Sequence, residues 1–97
     1  MRHEIILAPE AKEDFEALSA YDRAAVRDGM EMHLRYQPAK TSRSRIKRLR
    51  GLSHPQYRLL VNDIRIFYDV SGATVEVLAV VSKADVPNWL KREGINE

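Results

Sequence analysis

The chain contains no cysteine. Disulfide scaffolds, thiolate metal sites and cysteine nucleophiles are therefore excluded, and the absence accords with a reducing compartment. No apolar run approaches the roughly 20 residues of a membrane span, and the N-terminus lacks the apolar stretch and small-residue cleavage site of a signal peptide. A soluble, cytoplasmic protein with no membrane partner is expected. With only four glycines and four prolines in 97 residues, collagenous and low-complexity chains are ruled out. There is no glycine-rich phosphate loop and no Gly-x-Ser-x-Gly elbow, and His3, His33 and His54 are too scattered to match a metal-ligand spacing. Nucleotide hydrolysis and metal-dependent chemistry are disfavoured, and no cofactor is expected.

Hydrophobic residues at 44% and charged residues at 31% describe a globular chain. One domain spanning residues 1–97 is expected, burying roughly 60–70% of its unfolded surface. That is too little for a deep interdomain cleft, so any site should lie on an open face.

Acidic residues are missing from a long central stretch. Residues 32–62 carry eight basic side chains and no acidic one, between a segment of net charge −4 (residues 1–31) and one of net charge −2 (residues 63–97). Lys40, Arg43, Arg45, Lys47, Arg48 and Arg50 fall within eleven positions. Such a block favours a polyanion or an acidic protein partner. Arginine outnumbers lysine by eleven to five, which suits forked contacts to phosphate.

The hydrophobic period changes along the chain. His3–Leu7 reads as a short strand with Ile5 and Leu7 on one face. Pro9 then opens a helix with Ala11, Phe15 and Leu18 in its apolar stripe. After a cap at Ser19 or Asp22, a second helix carries Val26, Met30, His33 and Leu34 inward until Pro38 stops it, and Gly29 suits a close approach. From Arg45 the pattern alternates, predicting strands near 45–51, 57–61, 64–70 and 74–82, with turns at Asn62-Asp63 and Ser71-Gly72. Val75, Val77, Ala79 and Val81 are expected to face the helices together. Asp85 should cap a last helix that turns Trp89 and Leu90 inward and stops at Gly94. The expected fold is α+β: an N-terminal strand, an antiparallel helical hairpin on a twisted antiparallel β-meander, and a short C-terminal helix.

If Leu49 and Leu59 point to the core, strand parity sends Arg48, Arg50, Arg58 and Arg65 to the opposite face. Like charges on neighbouring strands repel, so this arrangement makes sense with a polyanion bound. Metal-free phosphodiester cleavage fits such a face: Arg and Lys stabilise charge on phosphorus while a tuned group moves the proton of a ribose 2′-hydroxyl. Lys83 and His54 have suitable proton chemistry, and each also reads as an ordinary surface residue.

The segments Lys47-Arg48-Leu49-Arg50-Gly51-Leu52 and Tyr57-Arg58-Leu59-Leu60-Val61-Asn62-Asp63-Ile64-Arg65-Ile66-Phe67-Tyr68 resemble the basic strand and following hairpin of the RelE/ParE superfamily of bacterial toxins. The order of elements extends the resemblance over nearly the whole chain. It implies a toxin of a type II toxin–antitoxin pair, neutralised by a cognate antitoxin protein. In the RelE branch such a toxin cleaves mRNA on the ribosome; in the ParE branch it inhibits DNA gyrase without cutting RNA; an inactive relative that binds only antitoxin is the third alternative. The resemblance puts Arg65 on the scissile phosphate, and Lys47, Arg48 and Arg50 on the RNA backbone. Arg43, Arg45 and Arg58 extend the expected nucleic-acid surface. After the fourth strand the RelE pattern has a glycine, an arginine and a tyrosine. Here the chain reads Val81-Ser82-Lys83-Ala84-Asp85-Val86-Pro87-Asn88-Trp89, so Lys83 is the expected replacement for the missing charge and joins Arg65 as a catalytic candidate.

Overall fold

The computed structural model describes residues 1–96. Its elements are β1 (Glu4–Leu7), α1 (Pro9–Glu16), α2 (Ala20–Leu34), β2 (Ile46–Arg48), β3 (Leu52–His54), β4 (Tyr57–Val61), β5 (Ile64–Ser71), β6 (Thr74–Ser82), a 3₁₀ turn (Lys83–Asp85), α3 (Val86–Glu93) and β7 (Ile95–Asn96). Five strands form one sheet in the order β1-β6-β5-β4-β2. β1 runs parallel to β6 and the other pairings are antiparallel. This is the α+β architecture anticipated from the hydrophobic pattern.

Local chemistry sets the element ends. Pro9 occupies the first turn of α1, where its missing N–H costs nothing. The Ser19 hydroxyl caps α2 by accepting from the Asp22 N–H at 3.1 Å, an interaction that contributes about 1 kcal/mol at a helix start. Gly29 lets α2 press onto the sheet: a Cβ there would stand 2.7 Å from a Val61 methyl. In the β4–β5 turn Asn62 adopts a left-handed φ of 52°, a conformation asparagine tolerates better than most residues.

The two faces of the sheet carry separate cores. On the helix side Ala11, Val26, Met30 and Leu34 pack against Ile46, Leu59, Ile66, Tyr68, Val75 and Val77. On the far side Phe67, Ala79, Val81 and Trp89 form a smaller cluster, with Leu49, Leu78, Val86 and Leu90 packed against it. The indole of Trp89 stacks on Phe67 at 4.7 Å between centroids, and its Nε1 donates to Glu10 at 2.8 Å.

Several expectations need correction. The pairing of β5 with β6 shifts register between Phe67 and Tyr68, so Phe67 faces Ala79 while Tyr68 faces Val77 and Leu78 is extra. This bulge reverses the parity of β6. Ala79 and Val81 therefore join the far core, Val80 joins the helix-side core, and Val75 and Val77 alone of the expected set face the helices. The predicted strand 45–51 is only Ile46–Arg48. The chain then turns, and Leu52–His54 pairs with Ile95–Asn96 in a second, two-stranded sheet. The β5–β6 turn falls at Gly72-Ala73, because Ser71 is still paired with Thr74. Asp85 precedes α3 but makes no side-chain cap; it accepts from the Ser82 hydroxyl at 3.0 Å instead.

Candidate functional site

Register decides which basic side chains share a face. Ile46 pairs with Leu59, Lys47 with Arg58, and Arg48 with Tyr57. Because Ile46 and Leu59 both enter the helix-side core, Lys47 and Arg58 point to the far side. Arg48 carries the parity of Ile46. It is therefore not on the face assigned to it from the sequence. Its guanidinium lies over the Tyr57 ring, 5.5 Å from the centroid, and donates to the carbonyls of Leu49 at 2.9 Å and Gln56 at 2.8 Å. The inward residue of this segment is Ile46. Leu49 instead packs in the far cluster, which shifts the expected parity by one residue. Arg50 also leaves the predicted row, since it lies in the exposed turn after β2.

The far face brings together Lys47, Arg58 and Arg65. Arg58 stands opposite Phe67, and Arg65 opposite Leu60 and Val81. The Arg58 guanidinium is half-buried, and its Nε is shielded from solvent with no hydrogen-bond partner among the described residues. Burial first, and the neighbouring charge of Arg65 second, hold its pKa below the ordinary arginine value. No ion pair to Lys47, Arg58 or Arg65 occurs among the described residues. The sheet thus places two arginines on diagonal positions of neighbouring strands, one partly desolvated, with no carboxylate in ion-pair contact among the described residues. Leaving a charged donor unpaired at such a site costs free energy that a bound anion returns.

At the same corner, Arg65 reaches the Asn62 carbonyl at 3.4 Å, and the Lys83 backbone N–H donates to the Asp63 carbonyl at 2.8 Å. Both catalytic candidates therefore border the β4–β5 turn, with the Lys83 side chain exposed. Arg43 and Arg45 lie in the segment leading into β2. Arg45 is fixed on the edge of β4, where its backbone accepts from the Leu60 N–H and its side chain approaches the Leu60 carbonyl at 3.4 Å. Neither strand tyrosine lies on the far face. Tyr57 and Tyr68 stack together on the helix side, and burial pushes the Tyr68 phenol upward while it donates to the Pro38 carbonyl at 2.6 Å.

One pair escaped the sequence reading. His54 Nδ1 lies 2.8 Å from Asp69 Oδ2, and the other carboxylate oxygen accepts from the Gln56 N–H at 2.7 Å. The two residues are 15 positions apart on different elements, so no spacing signals them. The pair borders a cleft of about 420 Å³ lined also by Leu78, Trp89 and Ile95. Asp69 is four residues beyond Arg65 on β5, roughly 13 Å at about 3.3 Å per residue, and the Phe67–Trp89 stack stands between. The imidazole therefore lies toward the other end of β5 from Arg65, with Arg58, opposite Phe67, midway between Arg65 and Asp69 in register.

No family model matches this sequence, and no curated protein matches it. Solved structures share its fold. A chain of the RelB–RelE antitoxin–toxin complex from Methanococcus jannaschii superimposes with a TM-score of 0.68 at 19% identity, over 87% of this chain and 96% of the other. The archaeal RelE–RelB complex from Pyrococcus horikoshii gives a TM-score of 0.69 at 16% identity, over 86% and 97%. The RelBE2 toxin–antitoxin complex from Mycobacterium tuberculosis gives 0.62 at 20% identity, over 84% and 99%. The chain has a RelE-like fold.

Proposed function

We propose that this chain is the toxin of a toxin–antitoxin pair and that its far face cleaves mRNA on the ribosome without a metal. The observation that carries the proposal is the half-buried, unpartnered Arg58 guanidinium beside Arg65. A purely structural sheet gains nothing from that juxtaposition, whereas a phosphodiester accepts from both forks. Arg65 stabilises charge developing on the phosphorus, Arg58 and Lys47 hold the strand, and Lys83 supplies a cation at the same corner. Arg43, Arg45, Arg48 and Arg50 extend the positive potential along the β2 edge and steer the polyanion. The structural neighbours come from toxin–antitoxin complexes, which supports a protein partner of the same kind here.

The test is to incubate the purified chain with ribosomes programmed with a defined mRNA. Cleavage products that are absent with Arg65→Ala are expected. A second reading is favoured by Trp89, which stands where the RelE pattern has a tyrosine and is buried against Phe67: a gyrase inhibitor needs no proton donor there. Growth arrest with an intact message and a DNA-damage response would select that reading.

A further inference from the structure

Past the arginines, the far face ends in a cleft of the opposite character. About 420 Å³ lies between the apolar side chains of Leu78, Trp89 and Ile95, with His54, Glu10 and Glu93 among its polar lining. Apolar walls with a few convergent polar groups mark a small-ligand site. Among the described residues, no lysine or arginine lines it. A phosphate is repelled there, whereas an apolar ring with N–H donors on its edge finds walls and acceptors together.

The polar groups are unequally committed. Asp69 is fully engaged: Oδ2 meets His54 Nδ1 at 2.8 Å, and Oδ1 accepts from the Gln56 N–H at 2.7 Å. The imidazole, half exposed, is thereby held as a flat wall of the cleft. Glu10 accepts from the Trp89 indole N–H at 2.8 Å. Glu93, by contrast, has polar contact only with the exposed Arg92, at 3.4 Å, among the described residues. It is the last residue of α3, where the helix dipole disfavours a carboxylate. Helix stability therefore does not account for it.

Register ties the cleft to the arginines. Arg58 stands opposite Phe67, and Asp69 is two residues further along β5, roughly 7 Å at about 3.3 Å per residue. A nucleotide whose phosphate lies on Arg58 can thus bring its own base to the cleft. Single-stranded RNA is recognised in this manner, its bases splayed onto aromatic or imidazole rings and hydrogen-bonded along their Watson–Crick edges.

We propose that the cleft holds a guanine of the bound RNA, with the His54 ring as its stacking platform and Glu93 as the acceptor for its N1–H and 2-amino group. Donor count selects the base. A carboxylate accepts two parallel bonds, and guanine alone among the RNA bases has two neighbouring donors on that edge. The inference adds a base specificity to the proposed far-face site and rests on that reading for the RNA.

The test titrates the ¹⁵N-labelled full chain with the four nucleoside 5′-monophosphates. GMP should shift the amides of His54, Asp69, Leu78 and Glu93, and AMP, CMP and UMP should bind at least about tenfold more weakly, as loss of a bidentate base contact does. Guanosine should give the same shifts in the cleft and none at Arg58. A hexanucleotide with one guanine should bind at least about tenfold tighter than GMP, because its further phosphates reach Lys47 and Arg65. Glu93→Gln should remove most of the guanine preference, while His54→Ala should weaken all four nucleotides alike and His54→Phe should restore part of the affinity. Both side chains are exposed, and an unchanged melting temperature verifies the fold.

Equal binding of the four nucleotides, shifts confined to Arg58 and Arg65, or an undiminished preference in Glu93→Gln would overturn the proposal. So would displacement of GMP by equimolar spermidine, which would assign the carboxylates to an organic cation. A hexanucleotide that binds no tighter than GMP would also overturn it, by assigning the cleft to a free nucleotide. On programmed ribosomes, messages should be cut beside guanines. An uncut message with guanine-selective binding intact sinks the nuclease reading and leaves the cleft assignment standing. Cleavage indifferent to the neighbouring base, and unchanged by Glu93→Gln, does the reverse.

Discussion

The two faces of the central sheet solve opposite problems. The helix side is saturated: two amphipathic helices cover it, and residues from Ile46 to Val77 fill the space beneath them. The far side is divided. Trp89 and Phe67 close one part with a small apolar cluster, while Lys47, Arg58 and Arg65 lie beside it with no ion pair among the described residues. One face is built to be stable alone, and the other carries a buried donor with no partner among the described residues. Where a fold tolerates desolvated, unpaired charge, stability has been exchanged for binding.

The sharpest way to break this contrast is to remove the apolar half of the far side. Trp89→Ala deletes a buried indole, its stack on Phe67 and its bond to Glu10. A loss of about 3–5 kcal/mol is expected in chemical denaturation, large against the 5–15 kcal/mol of a typical domain. If only α3 frays while β5 amides keep full protection, the far cluster is an accessory and not a second core.

The charged half should respond in function instead. Arg65→Ala should lower the rate of mRNA cleavage on the order of 100-fold or more, as loss of a donor aimed at developing charge does, with the denaturation midpoint unchanged. Arg65→Lys should recover part of the rate, because an ammonium keeps the charge and loses the planar fork. Equal damage from both, with normal RNA binding, would mean that charge is not the property in use.

Arg58→Leu tests the deficit directly. Replacing a half-desolvated, unpaired guanidinium by a shorter apolar side chain should raise stability by on the order of 1 kcal/mol, seen as a few degrees in Tm, while RNA affinity falls and its salt slope flattens by about one unit. A drop in Tm would show that the arginine stem is a packing element.

The smallest effect belongs to the saturated side. Burial, and then the charge of Arg45, hold the His33 imidazole below its ordinary pKa. A depressed folded value contributes stability that is present above pH 6.5, the ordinary value, and is lost as pH falls through the folded value. His33→Gln should therefore flatten the fall in stability between neutral pH and pH 5. Taking the difference between the two proteins cancels Asp14, whose pKa is raised chiefly by burial and whose contribution has the opposite sign, being lost as pH rises.

Most elements were legible because their signals are local: Pro9 and Ser19 start helices, Asn62-Asp63 reverses the chain, and alternation broken only at Leu60 and Phe67 marks β4 and β5. Parity was not. In Ile46-Lys47-Arg48-Leu49 two apolar residues of opposite parity compete for the core, and the winner depends on which strand pairs with β2. The bulge at Leu78 hides in a run where every residue from Val77 to Val81 is apolar, so no polar residue reports the slip. The mini-sheet of β3 and β7 and the His54–Asp69 pair rest on contacts between distant segments. The arginine face was therefore read correctly in its Arg58 and Arg65 members and misplaced at Arg48 and Arg50, one strand further out.

Asp14 has a further consequence for how the molecule behaves among other proteins. β1 pairs with β6 only from Thr74 to Val77, and beyond that point α1, not a strand, lies along the outer margin of β6. The Asp14 carboxylate accepts from the Val80 N–H at 3.0 Å and brings a carboxylate to the apolar, strongly β-forming run Val77–Val81. It works as a gatekeeper: a segment adding to that margin would have to displace the carboxylate and then sit beside it. One acidic side chain of α1 thus closes this margin to edge-to-edge pairing.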